Sequence, residues 1–116
     1  MTNPSQVQVP GLYRRQIGDV TVTAISDGYI DAPFAALQSI EESEADAILR
    51  GEFRPSPPRI NVNVYLIQSG GRTAVVDTGS GDTMGPTLGH LFELLGKVGV
   101  AADDVDTVLL THMHPD

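Results

Sequence analysis

The sequence predicts a mixed α/β domain, and three observations carry that prediction. Short runs rich in Val, Ile, Leu and Tyr recur between glycine-containing turns, the mark of paired strands. From Pro86 to Val98 the apolar residues switch to helical spacing. A last apolar run, Val105 to Leu110, returns to the extended pattern, so the second half of the chain reads strand, strand, helix, strand.

Taken in order, Leu12 to Ile17 and Val20 to Ser26 form two extended runs around Gly18-Asp19, which predicts an antiparallel hairpin. Asp27-Gly28-Tyr29 then punctuates the chain and reads as a turn. Ser39-Ile40-Glu41-Glu42 has the form of a capping box ahead of Ala45, Ala47, Ile48 and Leu49, so a short acidic helix is expected up to Arg50. Its acidic residues Glu41, Glu42, Glu44 and Asp46 read as a solvated face. Pro55, Pro57 and Pro58 make the stretch from Gly51 to Pro58 a stiff connector, because proline lacks the amide that a helix or sheet interior needs. Asn63 to Ser69 and Thr73 to Asp77 flank Gly70-Gly71-Arg72 as a second hairpin. The helix over 86–98 is expected to place Leu88, Leu91, Phe92 and Leu95 on the sheet, with Pro86 in its first turn and Gly99 at its exit. His90 falls off that stripe and reads as an exposed helix position. Val108-Leu109-Leu110, all apolar, predicts a strand covered on both faces.

Composition excludes several functions. The 116 residues carry 15 acidic against 7 basic side chains, a net charge of −8, which opposes binding to the phosphate backbone of nucleic acid. There is no Cys, so disulfides, thiolate nucleophiles and thiolate ligands are all absent, and a metal is expected to be held by nitrogen and oxygen. Met1 to Gln16 lacks the basic end and apolar run of a secretory signal, and no stretch approaches the ~20 apolar residues of a membrane span. A cytoplasmic location is the expectation.

The chemistry lies in Thr111-His112-Met113-His114-Pro115-Asp116. In an extended segment the side chains of residues i, i+2 and i+4 project to one side, so His112, His114 and Asp116 converge while Met113 points away. Pro115 disfavours helical geometry for His114 and so reinforces that form. Two imidazoles and a carboxylate suit a divalent metal such as zinc, and a metal with an open position makes hydroxide available near neutral pH. The competing reading, a chance cluster on a surface tail, is weakened by the position of the cluster at the carboxyl end of an apolar strand. Asp77, in Val76-Asp77-Thr78-Gly79, has two open readings: it orients a metal ligand, or it turns the chain.

Val76-Asp77-Thr78-Gly79 and the terminal His112-Met113-His114-Pro115-Asp116 together resemble the first two motifs of the metallo-β-lactamase superfamily. Gly11-Leu12-Tyr13-Arg14, Ala24-Ile25-Ser26-Asp27-Gly28, Val62-Asn63-Val64-Tyr65-Leu66-Ile67 and Gly85-Pro86-Thr87-Leu88-Gly89 further resemble methyl parathion hydrolases and acyl-homoserine lactonases. The resemblance implies a four-layer αβ/βα sandwich with two bridged divalent metals. This chain then supplies the N-terminal part of a single such domain, with a hairpin and helix over 1–58 and a hairpin, helix, strand and metal motif over 59–116. It also implies that His112 and His114 bind one metal, that Asp116 binds the second, and that Asp77 supports them. The further ligands of the family's pattern, a His next in line and a later His, Asp and His, are not in these residues, so a truncated and inactive product is expected.

The resulting expectation is a metal-dependent hydrolase of a small lactone, ester or phosphotriester, zinc-loaded with manganese, cobalt or iron as alternatives, and homodimeric by analogy. An iron-dependent redox member of the same superfamily and a non-catalytic protein are the rival readings.

Overall fold

The computed structural model describes residues 8–116. Residues 1–7, on which part of the reading of Met1 to Gln16 as lacking a signal falls, lie outside the described residues. Five strands form one sheet in the order β1-β2-β3-β4-β5. β1 (Leu12–Ile17) and β2 (Val20–Asp31) pair antiparallel, from Leu12 opposite Ile25 to Ile17 opposite Val20, about a turn in which Gly18 takes φ +61°.

β2 runs five residues beyond its expected end at Ser26, so Asp27-Gly28 is not a turn that breaks the strand. It is a bulge, where the register against β3 (Arg59–Ser69) shifts between Ser26 and Gly28. Gly28 adopts φ +133°, and a Cβ there would lie 1.9 Å from the Thr87 carbonyl oxygen. Only glycine lets the two backbones come this close. The contact is used: the Tyr29 amide donates to Thr87 O at 3.2 Å.

The first helix, α1 (Glu42–Gly51), starts three residues after Ser39. Ser39 lies at φ +62°, outside the extended geometry of an N-cap, and Glu41 caps the helix with no side-chain bond, so the expected capping box does not form. Glu42 and Glu44 still offset the positive end of the helix dipole. β3 starts at Arg59 rather than Asn63, and turns into β4 (Arg72–Val76) through Gly70 and Gly71, both at positive φ as a tight hairpin turn demands.

The second helix, α2 (Leu91–Lys97), is shorter than predicted. Pro86 to His90 cannot be its first turn. Gly89 sits at φ +87° with the Gly81 carbonyl where a side chain would start, a geometry that ends any helix running through it. With the start at Leu91, the positions i, i+3 and i+4 are Leu91, Leu94 and Leu95, and these three are buried. Phe92 falls off this stripe and is 71% exposed, against expectation. Gly99 at φ +76° closes the exit as predicted.

The core is the contact of α2 with one sheet face, where Leu91, Leu94, Leu95 and Val100 pack on Ile25, Val64, Leu66 and Val75. β5 (Thr107–Leu109) joins parallel to β4, with Val75 opposite Val108 and Val76 opposite Leu109. The apolar run at its end is not covered on both faces as predicted: Val108, Leu109 and Leu110 are each more than half exposed. β5 is the edge of the sheet, and among the described residues no strand lies beyond it. Among the same residues, no helix is long and apolar enough to cross a membrane.

Candidate metal centre

β4 and β5 run parallel, so they leave the sheet at the same end, and residues 34 positions apart meet there. Asp77 follows β4 at φ +63° while its amide still donates to the Leu109 carbonyl at 2.7 Å. That left-handed step brings its carboxylate onto the chain leaving β5. Asp77 Oδ1 accepts the Thr111 amide at 2.8 Å, and Oδ2 accepts the Thr111 hydroxyl at 2.6 Å. The hydroxyl first and the amide second hold the Asp77 carboxyl below the ordinary carboxylate range, with partial burial opposing them and His112 adding a smaller pull.

The Thr111 Oγ1 atom also lies 2.9 Å from His112 Nδ1. A hydroxyl has one proton to give, and an ionised carboxylate can only accept, so Oγ1 donates to Asp77 and accepts from Nδ1. Nδ1 therefore carries the hydrogen. His112 Nε2 is turned toward Asp116 Oδ1 at 3.1 Å, and two acceptors facing each other at that distance need a proton or a cation between them. His114 completes the group: its ring centroid lies 5.1 Å from that of His112, with the planes at 80°.

One ligand atom from each of His112, His114 and Asp116 lies within 4.8 Å of the others. Among the described residues this is the one cluster of three such groups drawn together. The donor set, two imidazole nitrogens and a carboxylate oxygen with the first imidazole braced through its other nitrogen, fits a divalent transition metal. Met113 points away, 91% exposed, as alternation requires, although residues 112–116 form an irregular segment rather than a continued strand. His90 is exposed, with Nδ1 3.8 Å from Glu93, and takes no part in the cluster.

Two residues that bear on this arrangement were named in the sequence but given no part in the site, Asp27 being read as a turn. Thr111 is one; a Thr after an apolar strand carries no signal of its own until Asp77 is placed beside it. Asp27 is the other, fully buried on β2. Its Oδ2 accepts the Ser80 and Gly89 amides at 3.0 and 3.1 Å, with the Ser80 hydroxyl at 3.5 Å, and its Oδ1 accepts the Leu91 amide at 3.0 Å. Inward alternation of Thr23, Ile25 and Asp27 along β2 is the signal that could have found it.

The model of the metallo-beta-lactamase superfamily matches residues 57–116. Among solved structures, the chain is similar to the hydrolase AbOPH of the beta-lactamase superfamily, with a TM-score of 0.84 and 31% identity over 95% of this chain and 38% of that one. It is similar to AidC, a dizinc quorum-quenching lactonase in complex with a product N-hexnoyl-L-homoserine, with a TM-score of 0.83 and 27% identity over 91% of this chain and 37% of that one. A probable metal-dependent hydrolase from Staphylococcus aureus shares the fold alone, with a TM-score of 0.66 and 21% identity over 88% of this chain and 40% of that one. The chain thus spans between 37% and 40% of the length of these structures. A search of curated proteins found no match. With more than half of its residues inside the family match, and a five-stranded α/β sheet that superposes on two hydrolases of this kind, the chain belongs to the metallo-beta-lactamase superfamily.

Proposed function

We propose that this chain is the N-terminal part of a single-domain, metal-dependent hydrolase acting on a small lactone, ester or phosphotriester. The observation that carries the reading is the convergence of His112, His114 and Asp116 within 4.8 Å at the shared end of β4 and β5. The dizinc lactonase among the similar structures supports zinc as the metal and a lactone as one substrate class. His112, His114 and Asp116 would hold a divalent ion, and the chemistry supplied there would be acidified water and polarisation of a carbonyl or phosphoryl oxygen.

The residues on hand do the holding. His112 Nε2, one nitrogen of His114 and an Asp116 oxygen supply ligand atoms, while Thr111 and Asp77 keep the His112 proton on Nδ1 and its Nε2 lone pair free. Held on one ion, or shared between two as the resemblance implies, these three ligands would leave positions open to water and substrate. The net charge of −8 supports a small substrate over a polyanion.

Two measurements test this. The first is titration of the chain with Zn²⁺ or Co²⁺ beside His112→Ala and His114→Ala; binding lost in both variants is the expected result. The second is assay of the metal-loaded protein against an acyl-homoserine lactone and a phosphotriester. Stoichiometric binding that survives both His substitutions would remove these residues from the site, and a metal-loaded protein inactive on both substrates would remove the substrate class.

A further inference from the structure

Asp27 lies on the sheet, far in sequence from the cluster, yet it organises the loop that leads out of β4. Residues 77–90 leave that strand and return at the start of α2, and the Asp27 carboxylate grips both ends of this excursion. At the near end it accepts the Ser80 amide, with the Gly79 backbone so close that a Cβ there would sit 2.4 Å from the carboxyl carbon. At the far end it accepts the amides of Gly89 and Leu91, while the Asp27 carbonyl accepts that of His90 at 3.2 Å. His90, the N-cap of α2, makes no side-chain capping bond, so Asp27 does that work from another strand.

A fully buried carboxylate is costly, and among the described residues no Lys or Arg pairs with it; the donors it gathers there are three backbone amides and a serine hydroxyl. All of them belong to one loop and its exit. Asp77 stands three residues before Ser80, in a left-handed conformation that an L-residue holds only when its surroundings impose it. Asp77 in turn sets Thr111 and, through it, His112.

We infer that Asp27 is a positioning residue for the metal cluster: it anchors Gly79-Ser80, thereby holds Asp77 against Thr111, and so presents His112 through Nε2. The inference rests on the proposed metal site and adds a residue remote from it.

The test combines Asp27→Ala, Asp77→Ala and the double variant with Co²⁺ titration of each folded protein and ¹⁵N shifts of the His112 ring. Outer-shell partners of a metal ligand typically contribute 10–100-fold in affinity, and an anchor one step further out is expected near the lower bound, about tenfold. If Asp27 acts through Asp77, the double variant binds no more weakly than Asp77→Ala alone, and Asp27→Ala loses the Nδ1–H form of His112. A purely structural Asp27 would lower the melting temperature and leave both the ring tautomer and the Co²⁺ affinity of folded protein unchanged; that result, or additive effects, overturns the inference.

If Asp27→Ala does not fold, amide exchange in the unsubstituted chain decides. Thr111, Ser80, Gly89 and Leu91 are then expected to share one opening event with one denaturant dependence, and a Thr111 amide that opens while the other three stay protected overturns the coupling. Should the unsubstituted chain bind no Co²⁺ at all, the functional reading falls, and the ring shifts with amide exchange still judge Asp27 on its own.

Discussion

Replacing Thr111 by Val deletes one hydroxyl and keeps the branched shape of the side chain, so it isolates the bond relay from packing. The hydroxyl serves Asp77 Oδ2 at 2.6 Å and His112 Nδ1 at 2.9 Å, while the Thr111 amide keeps its own bond to Asp77 Oδ1 at 2.8 Å. A bond to a charged group contributes about 1.5–3 kcal/mol net, and exposure of Thr111 to solvent brings this down to about 1 kcal/mol. At about 1.4 kcal/mol per tenfold, the expected loss is about fivefold in affinity for Co²⁺ at pH 7. The loss arises because His112, no longer tied at Nδ1, is free to place its proton on Nε2, the atom needed as a ligand. Calorimetric titration measures the affinity, and ¹⁵N shifts report the tautomer. A Thr111→Val protein that binds Co²⁺ as well as the unsubstituted chain, or a His112 already protonated at Nε2 alone before substitution, would refute the relay.

Leu66 is fully buried in the core, so Leu66→Ala is expected to cost about 2–5 kcal/mol by urea unfolding, whereas Phe92→Ser, at a site 71% exposed, stays within about 0.5 kcal/mol. Gly28→Ala puts a methyl 1.9 Å from the Thr87 carbonyl oxygen at φ +133° and is expected to destabilise well beyond the ~1 kcal/mol typical of a point change, read as a large fall in the urea midpoint. Asp31 and Asp46 have carboxyls lowered below their ordinary value, Asp31 by its bond from Arg59 and Asp46 by bonds from Ser56 and then Arg50. Because the folded chain binds these protons less readily than the unfolded one, their contribution is present above the ordinary Asp value of ~3.9 and is lost as pH falls below it through the lowered folded values. The urea midpoints of Asp31→Asn and Asp46→Asn are therefore expected below that of the unsubstituted chain at pH 7, with the gap narrowing as pH falls below the ordinary Asp value; a gap that does not narrow in acid would refute the assignment.

The strands and their turns were legible because alternation and glycine pairs act locally: Leu12–Ile17 and the Gly70-Gly71 hairpin follow from their own residues. The limits of α2 were not. Pro86 is a good first helical residue by itself, but Gly89 is bent to let Gly81 approach, and the amide that opens the helix is capped by Asp27 from a different strand. Phe92 was misplaced because the stripe was drawn through Leu88, which lies outside the helix; within Leu91–Lys97 the buried residues are Leu91, Leu94 and Leu95. Asp27 itself was hidden by its neighbour: Asp-Gly commonly forms a turn, and only the approach of Thr87 converts the pair into a bulge. The convergence of the alternating His112, His114 and Asp116 could be read from spacing alone, while the bonds of Thr111 could not, because they exist only once β4 and β5 lie side by side.

That side-by-side arrangement explains why carboxylates, in a chain already rich in them, are placed where they are. A parallel pair needs a long crossover, and here the crossover is residues 77–106, which contain the loop, α2 and the approach to β5. Both ends of β4's exit are tied by an aspartate that accepts backbone amides, Asp77 across to β5 and Asp27 across from β2. The two bonds to Thr111 set where the β5 strand end points, and the bonds to Ser80, Gly89 and Leu91 set where the crossover begins and where its helix starts. An irregular loop between two such anchors has little freedom to move its first residue. On the proposed reading, the precision that a ligand histidine requires comes from hydrogen bonds to two carboxylates rather than from regular structure, and residues 112–116 leave the sheet while three potential ligand atoms stay together.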